Sequence, residues 1–155
     1  MDVVFEKGSM VFNYRVAAVW VEGGHVLLHK QKHDEQWALP GGRVATGETS
    51  ADAIVREMAE ELNAHVTVEH MPWVVENFFC YDQKNYHELG IYYTVTSPEP
   101  PGLWHAGPFA GEEGEHLVYQ WVPLRDLNSL RIEPAFLTEG LQHIPNATHH
   151  LVVGR

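Results

Sequence analysis

One stretch of helical periodicity, set between runs that read as strands, constrains this chain more than any other feature. In residues 50–62 the apolar side chains Ala51, Ile54, Val55, Met58 and Leu62 recur at i, i+3, i+4, i+7 and i+11. That spacing lays one apolar stripe along a helix. Thr49, with Asp52 three places on, approximates a capping box with Asp in place of Glu. Upstream, "YRVAAVWVEGGHVLLHKQ" (14–31) holds two β-rich runs around Gly23-Gly24, a hairpin signal. Downstream, "HVTVEH", "WVVENFFCY" and "YHELGIYYTVT" read as strands, the last two joined by a turn at 82–85. The Pro- and Gly-rich segment 97–115 reads as a long loop, "HLVYQWVPL" as a final strand, and 124–130 and 134–141 as helices. With no internal repeat and no dividing linker, this order predicts one mixed α/β domain over 1–155, with a helix packed on a sheet.

Charge narrows the partners. Ten Lys plus Arg against 21 Asp plus Glu leave a formal charge of −11, with no basic run to offset it. Such a surface repels a nucleic-acid duplex. A ligand that carries phosphates then needs a divalent cation to attract it. The lone Cys80 rules out an intrachain disulfide and fits a reducing compartment. Early acids without a long apolar stretch at the N-terminus, and no run of about 18 apolar residues, predict a cytoplasmic protein with no membrane span.

The helix also carries Glu57, Glu60 and Glu61 within about a 100° arc, apart from the apolar stripe. Three carboxylates so placed repel one another. Either they form a solvated acidic face or they hold a hard cation such as Mg²⁺, which takes oxygen ligands. Arg56 can orient Glu60 through the i,i+4 spacing. Before the helix, Gly41 and Gly42 let a backbone carbonyl approach a ligand, and Glu48 lies where the helix dipole favours a negative charge.

Gly42, five residues, Glu48, seven residues, then Arg56-Glu57-Met58-Ala59-Glu60-Glu61 resembles the Nudix box, G-x5-E-x7-R-E-U-x-E-E-x-G-U with U apolar. Every charged position matches over 42–64, and Met58 and Ala64 fill the apolar places. One position departs: Asn63 stands where the pattern has glycine, and asparagine is the next residue able to close a helix in the left-handed conformation. "WALPGG" (37–42) and the flanking strands also resemble the family.

The resemblance implies an α/β/α sandwich around a mixed sheet, and an Mg²⁺- or Mn²⁺-dependent hydrolase of a nucleoside diphosphate linked to another group. It implies metal ligands at Glu57, Glu60 and Glu61, with the carbonyl of Gly41 as a further ligand. Glu57 is implied alternatively as base or water-orienter. Gly42, Glu48 and Arg56 take structural roles. Many members place one more acid before the last strand, where "GEEGEHLVYQWVPL" offers Glu112, Glu113 and Glu115; the expectation falls on Glu115. Lys30 is a candidate phosphate contact. Tyr81, seventeen residues past the box, stands near a tyrosine of the diadenosine-polyphosphate hydrolases. Trp73, Phe78, Tyr81 and Trp104 are candidates to stack a base, set against core packing for most of them. A small nucleotide is the implied partner, and family members often dimerise. The competing class is a non-catalytic Nudix-like domain that binds a nucleotide and regulates a partner. An RNA-decapping role fits poorly with a charge of −11.

Overall fold

A computed structural model of the chain describes residues 1–103 and 107–155. The helical stretch forms α1 (Ser50–Leu62). Thr49 caps it, its Oγ1 accepting from the Asp52 N–H at 3.1 Å. Asn63 closes it at φ 51°, ψ 36°. There the Asn63 N–H donates to the Ala59 carbonyl at 3.0 Å, and the Ala64 N–H to the Met58 carbonyl at 3.2 Å. These bonds satisfy carbonyls that a helix end otherwise leaves bare.

Around α1 the strands are β1 (Val4–Lys7), β2 (Met10–Val19), β3 (Val21–Glu22), β4 (His25–Gln31), β5 (Gln36–Trp37), β6 (Gly41–Arg43), β7 (Thr67–Val68), β8 (Trp73–Tyr81), β9 (Lys84–Thr96), β10 (Phe109–Gly111), β11 (Gly114–Pro123), β12 (Arg131–Ile132) and β13 (His149–Val153). A 3₁₀ turn, Leu124–Ser129, and a short α2 (Leu137–Gly140) complete the set. The main sheet is mixed and runs β1-β2-β9-β8-β13, with β6 on β2 and β7 on β9. Within it β2 lies parallel to β9, and β13 parallel to β8. A second, antiparallel sheet runs β10-β11-β4-β3, and β12 and β5 form a small parallel pair.

β2 is buried on both faces, so its alternation feeds two cores. Val16, Ala18 and Trp20 pack with Ile54, Met58 and Leu62 of α1. Ala17 and Val19 pack with Trp73, Leu127, Leu137 and Leu141. The result is the expected α/β/α sandwich about a mixed sheet.

Several local expectations change. The hairpin at Gly23-Gly24 exists, but only Val21–Glu22 pairs with His25–Val26. The longer run before it belongs to the other sheet, because the chain changes sheets at Trp20. Segment 97–115 is not all loop: Phe109–Gly111 pairs with β11, which itself begins at Gly114. The expected helices are a 3₁₀ turn and a four-residue α2, and "HVTVEH" shrinks to Thr67–Val68. Edge strands β1 and β13 carry no strong periodicity and come from pairing alone. Among the described residues no helix is long and apolar enough to cross a membrane.

A carboxylate cluster at the head of a cleft

α1 presents its carboxylates differently from a solvated face. Glu61 is buried at 6 % exposure, while the Glu60 side chain is half exposed and that of Glu57 only 14 %. The helical wheel explains the inequality. At 100° per residue Glu61 falls about 20° from Ile54, at the border of the packed face. On that face Ala53, Ile54, Met58 and Leu62 are buried, whereas Val55 of the expected stripe is exposed.

Arg56 ties the cluster to the loop before it. Its Nε and Nη2 donate to Glu48 at 2.9 and 2.6 Å, and Nη2 also to the Arg43 carbonyl at 3.1 Å. Its Nη1 donates to Glu57 at 3.0 Å and to Glu60 at 3.2 Å. Glu48 in turn accepts the Ala45 N–H at 2.8 Å. The Arg56 hydrogen bond is the largest influence on Glu48 and brings its carboxyl down to about 2.

The two glycines make room for protein atoms. A Cβ at Gly41 would lie 2.0 Å from the Val16 carbonyl oxygen, and one at Gly42 2.2 Å from the Glu57 carboxyl carbon.

Burial pushes Glu61 up to about 8; Glu57 and Glu113 add to the rise, and the Arg15 charge and a hydrogen bond from the Tyr119 hydroxyl oppose it. Burial likewise raises Glu57, against the hydrogen bond and charge of Arg56, with Glu60 and Glu113 adding. Glu61 Oε2 is shut off from solvent with no hydrogen-bond partner. A buried carboxylate oxygen left bare is costly, and a divalent cation is one way to satisfy it. The donor set therefore fits a hard cation, although among the described residues no three acidic, His or Cys side chains are already drawn into a ligating group. Of the loop acids, Glu113 is the one whose charge acts on Glu57, Glu61 and Tyr119. Glu115, the expected acid, is an exposed residue of β11.

Glu61 opens onto a cleft of about 570 Å³, also lined by Gly41, Arg15, His29, Lys30, Asn77, Phe79, Tyr81 and Glu88. Lys30 is partly committed: its Nζ donates to the Asp34 carbonyl at 2.7 Å and lies 5.3 Å from the Trp37 ring centroid. Tyr81 is 57 % exposed at the lining. Trp73 is core, edge-on to Tyr92 and Phe136. Phe78 stacks on His87 and is not among the cleft residues. Trp104 lies outside the described residues. Cys80 is exposed, donating to Asn85 Oδ1.

Arg15, His29 and Glu88 were invisible in sequence as site candidates. The Arg15 guanidinium makes no hydrogen bond or ion pair among the described residues, yet its charge reaches Glu61, His29 and Tyr92. His29 is 8 % exposed, its Nδ1 has no partner, and burial with the Arg15 charge lowers its pKa to about 3.

The sequence pattern of the NUDIX domain matches residues 12–140. A Mycobacterium tuberculosis protein provisionally named 8-oxo-dGTP diphosphatase 2 is 44 % identical over 55 residues, 33 % of this chain and 39 % of that protein. A Bacillus subtilis protein provisionally named ADP-ribose pyrophosphatase YjhB is 38 % identical over 56 residues, 36 % of this chain and 27 % of that protein. These matches span well under half of either relative's length. The crystal structure of a MutT protein from Methanosarcina mazei Go1 superposes with a TM-score of 0.62 at 22 % identity, covering 86 % of this chain and 92 % of that one.

Proposed function

The chain belongs to the NUDIX family, and we propose that it hydrolyses the pyrophosphate linkage of a small nucleotide derivative at the cleft headed by Glu61. The observation that carries the reading is the buried Glu61 carboxyl beside Glu57, its Oε2 without a partner, lining a nucleotide-sized cleft. The named relatives are described as acting on different nucleotides, so the substrate follows from the cleft and not from the family.

Glu57, Glu60 and Glu61 would hold Mg²⁺ or Mn²⁺, with the Gly41 carbonyl and a loop acid as further donors. The charge of Glu113, which reaches Glu57 and Glu61, supports Glu113 over Glu115 for that acid. When bound, such a cation neutralises the pyrophosphate and makes a water easier to deprotonate. The chain's own residues do the rest. Arg56 fixes the Glu57 carboxylate through Nη1, so that Glu57 is available to orient the attacking water and accept its proton. Glu48 holds Arg56 in turn, and keeps the loop that carries Gly41 and Gly42 against the helix. Arg15, unpaired in the cleft wall, is placed to take a phosphate oxygen of the retained half. The phosphates, of opposite charge to Arg15, would also be held off the acidic surface around the cleft.

Glu61→Gln tests the reading, since it keeps shape and removes the ionisable oxygen. The expected result, on a panel of nucleotide substrates with products identified, is a folded protein whose turnover falls by at least a hundred-fold. Near-normal turnover in that variant would remove Glu61 from the site. Binding without turnover in the unaltered protein would favour the non-catalytic regulatory class.

A further inference from the structure

We propose that Glu88 reads the nucleobase, selecting a guanine-type edge over adenine. The inference rests on the cleft being the nucleotide site argued above. The parallel pairing of β2 with β9, and the antiparallel pairing of β9 with β8, set Asn13, Glu88 and Asn77 in one row across three strands. Partners in register share a face. Glu88 and Asn77 both line the cleft. Asn13, 3 % exposed, donates from Nδ2 to Glu88 Oε2 at 3.1 Å. One carboxylate oxygen is thus fixed from beneath, and the other makes no hydrogen bond among the described residues.

The rows on either side give the direction of the ligand. One row on, Tyr86 pairs with Phe79, their rings parallel and 4.9 Å apart, and Phe79 and Tyr81 line the cleft. One row back, Arg15 pairs with Gly90, on the side whose charge reaches Glu61. Successive rows on one face lie about 7 Å apart. A nucleotide with its phosphates toward Glu61 and Arg15 therefore carries its base past Glu88 to the aromatic row, where ring faces stack.

A carboxylate offers acceptors only. Guanine presents two adjacent donors, N1–H and the exocyclic N2–H, which two carboxylate oxygens match. Adenine presents a bare N1 lone pair beside one amino group, and that lone pair would face the carboxylate. Cytosine has the same acceptor beside its amino group, and thymine flanks its N–H with carbonyls.

The test is calorimetric binding of GMP, IMP and AMP in Mg²⁺-containing buffer, with dGMP as a control for the sugar, a readout separate from turnover. IMP keeps N1–H and lacks the 2-amino group. The expected affinity order is GMP, then IMP, then AMP, with at least ten-fold between the first and the last. Glu88→Gln, which replaces an acceptor with a donor, should erase that difference; Glu88→Asp, the fold-preserving control, should reduce it. Melts verify folding of both variants. Equal GMP and AMP binding by the unaltered protein, or no binding of any of the three, overturns the proposal. So does a Glu88→Gln variant that keeps the base order but loses a preference of GMP over dGMP, because the carboxylate would then hold the sugar. If base-selective binding stands while no nucleotide is hydrolysed, the catalytic reading fails and the base assignment survives.

Discussion

Gly42 leaves the space that the Glu57 carboxylate occupies. A Cβ at position 42 would come within 2.2 to 2.5 Å of three atoms of that carboxyl group. The clash is with the far end of a flexible side chain, so the fold can yield by moving Glu57 alone. Gly42→Ala should therefore separate folding from chemistry. The expected outcome is a melting midpoint within a few degrees of the unaltered protein and a turnover reduced at least ten-fold, since Glu57 loses its placement against Arg56. A variant that melts far lower would show that the glycine serves the backbone. Unchanged turnover would show that the position of Glu57 does not matter to the reaction.

Glu61 sets the balance between metal-free stability and metal binding. Its carboxyl is buried and raised first by desolvation, with repulsion from Glu57 second. Repulsion between carboxylates along a solvated helix face costs only a few tenths of a kcal/mol per pair. Burial makes the cost larger. Glu61→Gln should raise the stability of the metal-free protein by about 1–2 kcal/mol at neutral pH, because folding then no longer has to hold a carboxyl protonated well above its ordinary range. Millimolar Mg²⁺ or Mn²⁺ should raise the melting midpoint of the unaltered protein and move that of the variant much less. Equal metal-induced shifts in both proteins would place the cation elsewhere.

The parts of this molecule legible in the sequence are those built from neighbours in the chain. The spacing of Ile54, Met58 and Leu62 predicts α1, and the closure by Asn63 follows from what asparagine tolerates. Glu48 and Arg56 are eight residues apart, one just before α1 and the other within it, so their pattern is local as well. Arg15, Glu88 and His29 are different. Each sits at an ordinary alternating position of a strand; pairing between β2 and β9, 75 residues apart at Asn13 and Glu88, brings Arg15 and Glu88 to one cleft, and His29 reaches it from β4 of the second sheet. β1 and β13 are missed for the same reason: an edge strand is defined by the strand it joins. Glu113 and Glu115 differ by two residues, and the hairpin that holds them, tied to the helix end by the Glu112 N–H on the Glu61 carbonyl, becomes visible only once β10 is recognised.

His29 should make stability depend on pH in a window of its own. It is buried, without a partner at Nδ1, and carries a pKa of about 3 from burial and from the Arg15 charge. Unfolded, an imidazole titrates near 6.5. The folded state therefore resists a proton that the unfolded state takes up, so unfolding binds protons between these two values. The stabilisation is complete above pH 6.5 and is lost as pH falls toward 3, at up to about 1.4 kcal/mol per pH unit from this one group. Carboxylates titrate in the lower part of that range, so the contrast is sharpest between pH 6.5 and 5. Denaturant melts of the metal-free protein across that interval should give a sloping stability for the unaltered chain and a flatter one for His29→Gln, whose amide does not titrate. Parallel slopes would mean that His29 gains a proton as readily folded as unfolded, and that the cleft is more open to water than its burial indicates.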